Sequence, residues 1–100
     1  MGVTITTDTE AGMAWATVGG QRAGRLGFRV AQGEGAPVWT LYTTVVEPYF
    51  EGQGVGSALV RDVIEKADQA DAQVVPTCWF VAGWLDRHPQ YHHLMQDDLR

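Results

Sequence analysis

The segment Glu51-Gly52-Gln53-Gly54-Val55-Gly56-Ser57 constrains this chain more than any other. Three glycines at alternate positions leave the backbone bare, so its N–H groups can approach a ligand closely. The segment follows a run dense in Trp, Tyr, Thr and Val (residues 38–46) that reads as a strand. It precedes a run in which Leu59, Val60, Val63, Ile64 and Ala67 recur at helical spacing. A strand that passes through a bare turn into a helix start builds an anion site. The first N–H groups of a helix lack internal partners, and the helix start carries roughly half a positive charge. Such a site suits a pyrophosphate, and Ser57 can add a hydroxyl. Taken alone, the glycine spacing also fits a structural turn that binds nothing.

The residues before this turn read as a meander. Val3 and Ile5 alternate with Thr4 and Thr6, and Met13, Trp15 and Thr17 alternate with Ala14, Ala16 and Val18. Gly19-Gly20 is a hairpin signal. Leu26, Phe28 and Val30 share one face of a third strand, with Arg25 and Arg29 on the other. A glycine-rich turn from Gln32 to Pro37 leads into the fourth strand, whose density of large side chains predicts cover on both faces. After the helix, Gln73-Val74-Val75 makes a short strand that stops at Pro76. A second helix is expected from Cys78 or Trp79 to Arg87, with Thr77 as N-cap, Phe80, Val81, Trp84 and Leu85 as its apolar stripe, and Pro89 ending it. The polar tail from Gln90 to Arg100 reads as a short helix or a frayed end. The order β-β-β-β-α-β-α predicts an α+β fold. An antiparallel meander of about four strands leads into a right-handed β-α-β crossover and a C-terminal helix, all in one domain over residues 1–100.

Composition narrows the function. Seven Lys+Arg against twelve Asp+Glu leave a net charge of −5. No Lys/Arg cluster is present to displace the counterions of nucleic acid or to hold an anionic membrane. An acidic surface favours cationic partners such as amines during approach. Cys78 is the only cysteine, so no internal disulfide forms and a cytoplasmic location is expected. The start of the chain lacks the charged and apolar regions of a secretory signal. The longest apolar stretch, Val74 to Leu85, is broken by Pro76, Thr77, Cys78 and Gly83 and is too short to span a bilayer. His88, His92 and His93 have no Cys or Glu to complete a ligand set, so no metal is expected. A Walker loop needs a Lys that the glycine turn lacks, and Ser57 stands where a dinucleotide-binding turn has its third glycine.

The motifs in combination are more specific than any one of them. A meander, then Val46-Glu47-Pro48, then Gly-Gln-Gly-Val-Gly-Ser-Ala-Leu-Val opening a helix resembles the GNAT acyl-CoA N-acyltransferase superfamily. Val75-Pro76-Thr77-Cys78-Trp79-Phe80-Val81 followed by Arg87-His88-Pro89-Gln90-Tyr91 looks like its minimal single-domain subfamily, which has a Pro-x-Cys motif. The resemblance runs from the third strand to Tyr91. The superfamily signature places Arg or Gln where this chain has Glu51, and its two small residues fall on Gly54 and Gly56.

The resemblance implies acetyl-CoA as co-substrate and a primary amine, small or protein-borne, as acceptor. It implies that the turn from Gly52 through Gln53, Gly54, Val55 and Gly56 to Ser57 holds the pyrophosphate. Val45 and Val46 would pair with the pantetheine, and a backbone N–H near Val46 would stabilise the oxyanion. Of Trp79, Phe80 and Trp84, otherwise read as core, Phe80 would flank the pantetheine. Arg87 and His88 would meet the cofactor or cap the helix. The subfamily's His-Thr-Glu-Val falls on Thr43-Thr44-Val45-Val46, so its His and Glu are absent. Glu47 is then the candidate base. Cys78, at a helix start that lowers a thiol's pKa, is a candidate pocket wall, a candidate nucleophile or an inert small hydrophobe. The leading expectation is an N-acetyltransferase acting by direct amine attack. The alternatives are an acyl-CoA-binding module with little catalysis and a protein-interaction domain that has lost the cofactor.

Overall fold

The computed structural model describes residues 2–32 and 34–95. Five strands, β1 (Val3–Asp8), β2 (Met13–Val18), β3 (Gln21–Ala31), β4 (Val38–Val46) and β5 (Gln73–Pro76), form one sheet in chain order. The first four are antiparallel, and β5 runs parallel to β4. Helix α1 (Val55–Gln69) makes the crossover between β4 and β5, and α2 (Trp79–Asp86) follows β5. Short 3₁₀ turns occupy Pro48–Phe50 and Pro89–Leu94. The fold is the α+β meander and crossover that the periodicities predict.

Both helices lie on one face of the sheet. Ala14, Ala16, Leu26, Phe28, Trp39, Leu41 and Val74 point from the strands into Leu59, Val60, Val63, Ile64 and Ala67 of α1 and Val81, Trp84 and Leu85 of α2. All of these are at most 4% exposed. Each buried Leu, Val or Phe contributes about 1.5–3 kcal/mol of transfer free energy, so this layer carries most of the fold's stability. At its centre the Trp84 ring stacks on His88 at 3.7 Å, with the Arg61 guanidinium 5.3 Å away over the same ring. The Trp84 Nε1–H is buried with no partner among the described residues.

Two bulges shape the sheet. Pairing passes from Ala16↔Gly24 to Thr17↔Arg22, which makes Ala23 an extra residue in β3. It passes from Gly27↔Thr43 to Phe28↔Leu41, which makes Tyr42 an extra residue in β4. A bulge bends its strand and ends regular pairing. The β4–β5 ladder accordingly stops at Leu41↔Pro76, and the N–H groups of Thr77 and Cys78 both turn back to the Leu41 carbonyl.

The structure corrects several expectations. β4 is covered on one face only: Trp39 and Leu41 are buried, whereas Tyr42 is 38% exposed on the other side. Its Thr and Tyr side chains are amphipathic enough to tolerate that exposure. Thr77 does not cap α2. Cys78 holds the N-cap position, and the Thr77 hydroxyl donates to Leu41 O at 3.4 Å. Trp79 is not core but 94% exposed, because it opens α2 on the side away from the sheet. α2 ends at Asp86, with Arg87 at its C-cap, and Pro89 opens the next turn. That turn is tied to the helices by Tyr91 O–H donating to Glu65 and by His93 beside Asp68. The last five residues of the polar tail lie outside the described residues.

Candidate functional site

The end of the β4–β5 ladder opens a slot of about 420 Å³. Its walls are Thr44 and Val46 of β4, Phe50, the glycine turn, the first turn of α1 and Phe80 of α2. Alternation along β4 explains the first wall. Glu47 N–H donates to Ala23 O, on the β3 side, so the backbone groups of Thr44 and Val46 face outward to the slot.

The three glycines do two different jobs. Gly52 and Gly54 have φ of 84° and 82°, a left-handed backbone that other residues rarely adopt. A Cβ on either would meet nothing within 4 Å, so the space outside them is open. Gly56 is needed for packing instead. A Cβ there would lie 2.8 Å from Phe80 Cζ and 3.5 Å from Val46 Cγ2. Its bareness lets α2 lean on the start of α1. No side chain caps α1 at Gly54, so the first-turn N–H groups present their partial positive charge to the slot. Glu51 is the one charged side chain on the slot's wall.

Cys78 does not line this slot: it belongs to an adjoining depression with Pro76, Thr77, Trp79, Ala82, Gly83 and Asp86, and it meets the slot through Thr44, at the end away from the glycine turn. Its S–H donates to Thr44 Oγ1 at 3.7 Å. Burial pushes the thiol's pKa up, but hydrogen bonds from the Val81 N–H, the Thr44 side chain and the N–H groups of Phe80 and Thr44 outweigh it. The thiol ends below its ordinary value of 9.0. The cause is geometric: the N-cap position of α2 aims free helix N–H groups at the sulfur.

Other predicted residues lie elsewhere. Val45 pairs with Arg25 and turns its side chain to the opposite face of the sheet. Glu47 lines a separate depression with Gln21, Arg22 and Tyr49. Arg87 and His88 are at the far end of α2, where His88 Nδ1 lies 2.6 Å from Trp84 O and Arg87 reaches over Gly83. Gln53 is exposed in the turn and does not line the slot. Sequence reasoning missed Thr44 and Phe50. Thr44 shares strand parity with Val46, a signal that was available; Phe50 reaches the wall through a 3₁₀ turn that no pattern announces. Among the described residues no group of three or more His, Cys, Asp or Glu could hold a metal ion. No described helix is long and apolar enough to cross a membrane.

Comparison with known proteins agrees with this geometry. A family model described as GCN5-related N-acetyl-transferase matches residues 14–94. No curated protein matches the chain. Among solved structures, a ribosomal-protein-alanine N-acetyltransferase from Brucella melitensis aligns with TM-score 0.62 at 20% identity, over 84% of this chain and 60% of its own. A GCN5-like protein from Staphylococcus aureus aligns with TM-score 0.69 at 18% identity, over 93% of this chain and 87% of its own. An aminoglycoside acetyltransferase from an uncultured soil metagenomic sample aligns with TM-score 0.60 at 14% identity, over 86% and 59%. This chain thus spans about 60% of the length of the first of these structures. At these identities the likenesses speak for the fold.

Proposed function

We propose that this chain, which belongs to the GCN5-related N-acetyltransferase family, transfers an acetyl group from acetyl-CoA to a primary amine by direct attack. The observation that carries the reading is the slot itself. A bare, uncapped helix start stands at one end, a free β4 edge runs along the wall, and Thr44 at the other end touches a polarised thiol in the adjoining depression.

The residues fit the co-substrate. Open space outside Gly52 and Gly54 leaves room for a pyrophosphate, and the first-turn N–H groups of α1 can hold it. The outward backbone groups of Thr44 and Val46 can pair with an amide-bearing arm as an added strand would. Phe80 covers that arm and excludes water. Bound acetyl-CoA would supply an activated acyl thioester. The Thr44 N–H lies beside Cys78 and is the donor placed to polarise a carbonyl at that end. Cys78 Sγ is the ionisable atom there that can hold or release a proton. Glu47, in its own depression, is given no role in this scheme. Orientation supplies much of the rate, since one slot holds both reactants. A cytoplasmic setting goes with this reading, because it keeps Cys78 reduced.

The test is acetyl-CoA consumption with thiol release across a panel of amines, beside calorimetry with CoA. Binding heat and amine-dependent release are expected. A folded protein that gives no heat with any CoA derivative refutes the proposal. A second reading, an acyl-CoA-binding module, is favoured by one observation: the slot wall holds no His, and its only carboxylate, Glu51, lies at the glycine-turn end. Binding heat without amine-dependent release selects it.

A further inference from the structure

The face of the sheet away from the helices carries a charge opposite to that of the molecule. Arg22, Arg25 and Arg29 lie along β3 on this side, three of the chain's seven Lys and Arg. The Ala23 bulge is what brings Arg22 onto the same face as Arg25. None of the three is in an ion pair among the described residues. Arg22 instead lies 5.4 Å over the Trp15 ring, and Arg29 lies 4.6 Å over the Tyr42 ring. These contacts hold the guanidinium planes against the sheet and leave their N–H edges to solvent. The carboxylates of Asp62, Glu65 and Asp68 are on α1, on the other side of the sheet. Glu47 shares a depression with Arg22, Asp8 at the end of β1 accepts from the Ala11 N–H, and Glu10 and Glu34 lie in the flanking turns. No described element packs on this face.

We infer that this open face docks an acidic, extended polypeptide segment whose amine is the acetyl acceptor. The inference rests on the transferase reading for the word acceptor alone. Charge complementarity argues the occupant: three unpaired guanidinium groups face an otherwise acidic molecule. Spacing argues its shape. At ~3.3 Å per rung, and with Ala23 as an extra residue between the first two, Arg22, Arg25 and Arg29 stand ~7 and ~13 Å apart, which matches carboxylates two and four residues apart on one side of an extended chain. Position argues its role. Arg25 lies opposite Val45, between the two β4 residues that wall the slot, so the stripe passes the level of the slot on the other face of the sheet. A polycationic small amine is repelled from the same face. The net charge alone points to cationic partners, and the distribution of that charge reverses the conclusion at this surface.

The test uses a fluorescein-labelled short peptide with a free N-terminus and several Glu residues, beside a matched peptide with Gln in their place. Anisotropy at low salt is expected to show the Glu peptide binding about 10-fold tighter. High salt should erase the difference. The R22Q/R25Q/R29Q variant should erase it too, while keeping its heat with CoA. In turnover, that variant should raise KM for the Glu peptide and leave kcat unchanged. Equal binding of the two peptides by the unmodified protein overturns the docking surface. So does tighter binding of a single-stranded oligouridylate than of the Glu peptide, or self-association through this face that excludes the peptide. Absence of CoA heat alongside intact peptide discrimination overturns the transferase reading instead, so the two failures are separable.

Discussion

Along β3, neighbouring residues belong to two different environments. Leu26 and Phe28 point into the helices and are 0% and 2% exposed, whereas Arg25 and Arg29 point to solvent. The covered face is apolar, close-packed and intolerant of change in volume. The open face is held by rings under guanidinium groups and can move aside. The same backbone thus serves stability on one side and recognition on the other, and the two can be altered separately.

The largest effect expected is on the covered face. Leu26→Ala should cost about 2–5 kcal/mol, each kcal/mol lowering Tm by roughly 4–8 °C in a domain of this size. Arg25→Gln, one residue away, should stay within about 0.5 kcal/mol. Equal shifts in Tm for the pair would break the comparison. Gly56→Val extends the test to the slot. A branched side chain there drives Phe80 from its seat, and strain of about 1–3 kcal/mol corresponds to roughly 10–100-fold weaker CoA binding by calorimetry. An unchanged affinity would mean that Phe80 is not part of the slot's working wall.

Two glycines of β3 sharpen the contrast further. A Cβ at Gly24, on the covered face, would lie 2.7 Å from the Val45 carbonyl oxygen, which is backbone and cannot yield. A Cβ at Gly27, on the open face, would lie 2.9 Å from the far end of the Tyr42 ring, which can swing into solvent. Urea unfolding should place Gly24→Ala about 1–3 kcal/mol below the parent and Gly27→Ala above it in rank. The reverse order would show the open face to be the stiffer one.

The smallest effect concerns Cys78. Its pKa lies below the ordinary 9.0 in the folded protein, so ionisation favours folding. That contribution is complete above the unfolded pKa and is lost as pH falls through the folded one. Alkylation by iodoacetamide should therefore reach half its maximal rate at lower pH in the native protein than in urea. Coincident midpoints would show that the helix N–H groups do not reach the sulfur.

The sequence revealed the strand order, the crossover and the glycine turn because each rests on local periodicity or on backbone hand. The opposed faces of β3 were legible from alternation alone: Leu26, Phe28 and Val30 against Arg25 and Arg29. Arg22 could not be placed with them, because the Ala23 bulge is a property of pairing and not of either strand. Tyr42 hid the break in β4 in the same way, and with it the one-sided cover of that strand. The slot was legible where its residues are sequential, at the glycine turn; Cys78 falls in the adjoining depression. The slot was not legible where tertiary placement decides. Arg87 and His88 follow Cys78 closely in sequence, but ~1.5 Å of rise per residue along α2 carries them away from the slot. Trp79 reads as core by composition and is solvent-facing by helix phase.

Val74 pairs with Trp39 on one side and with Met95, in the same direction, on the other. The shortest strand of the sheet is thereby shielded at its midpoint by the chain's own return, with Leu94 buried beneath it. A bare outer strand would invite intermolecular zippering; this single rung removes the invitation on that flank. Assembly by strand-to-strand extension is then left to β1, at the opposite margin.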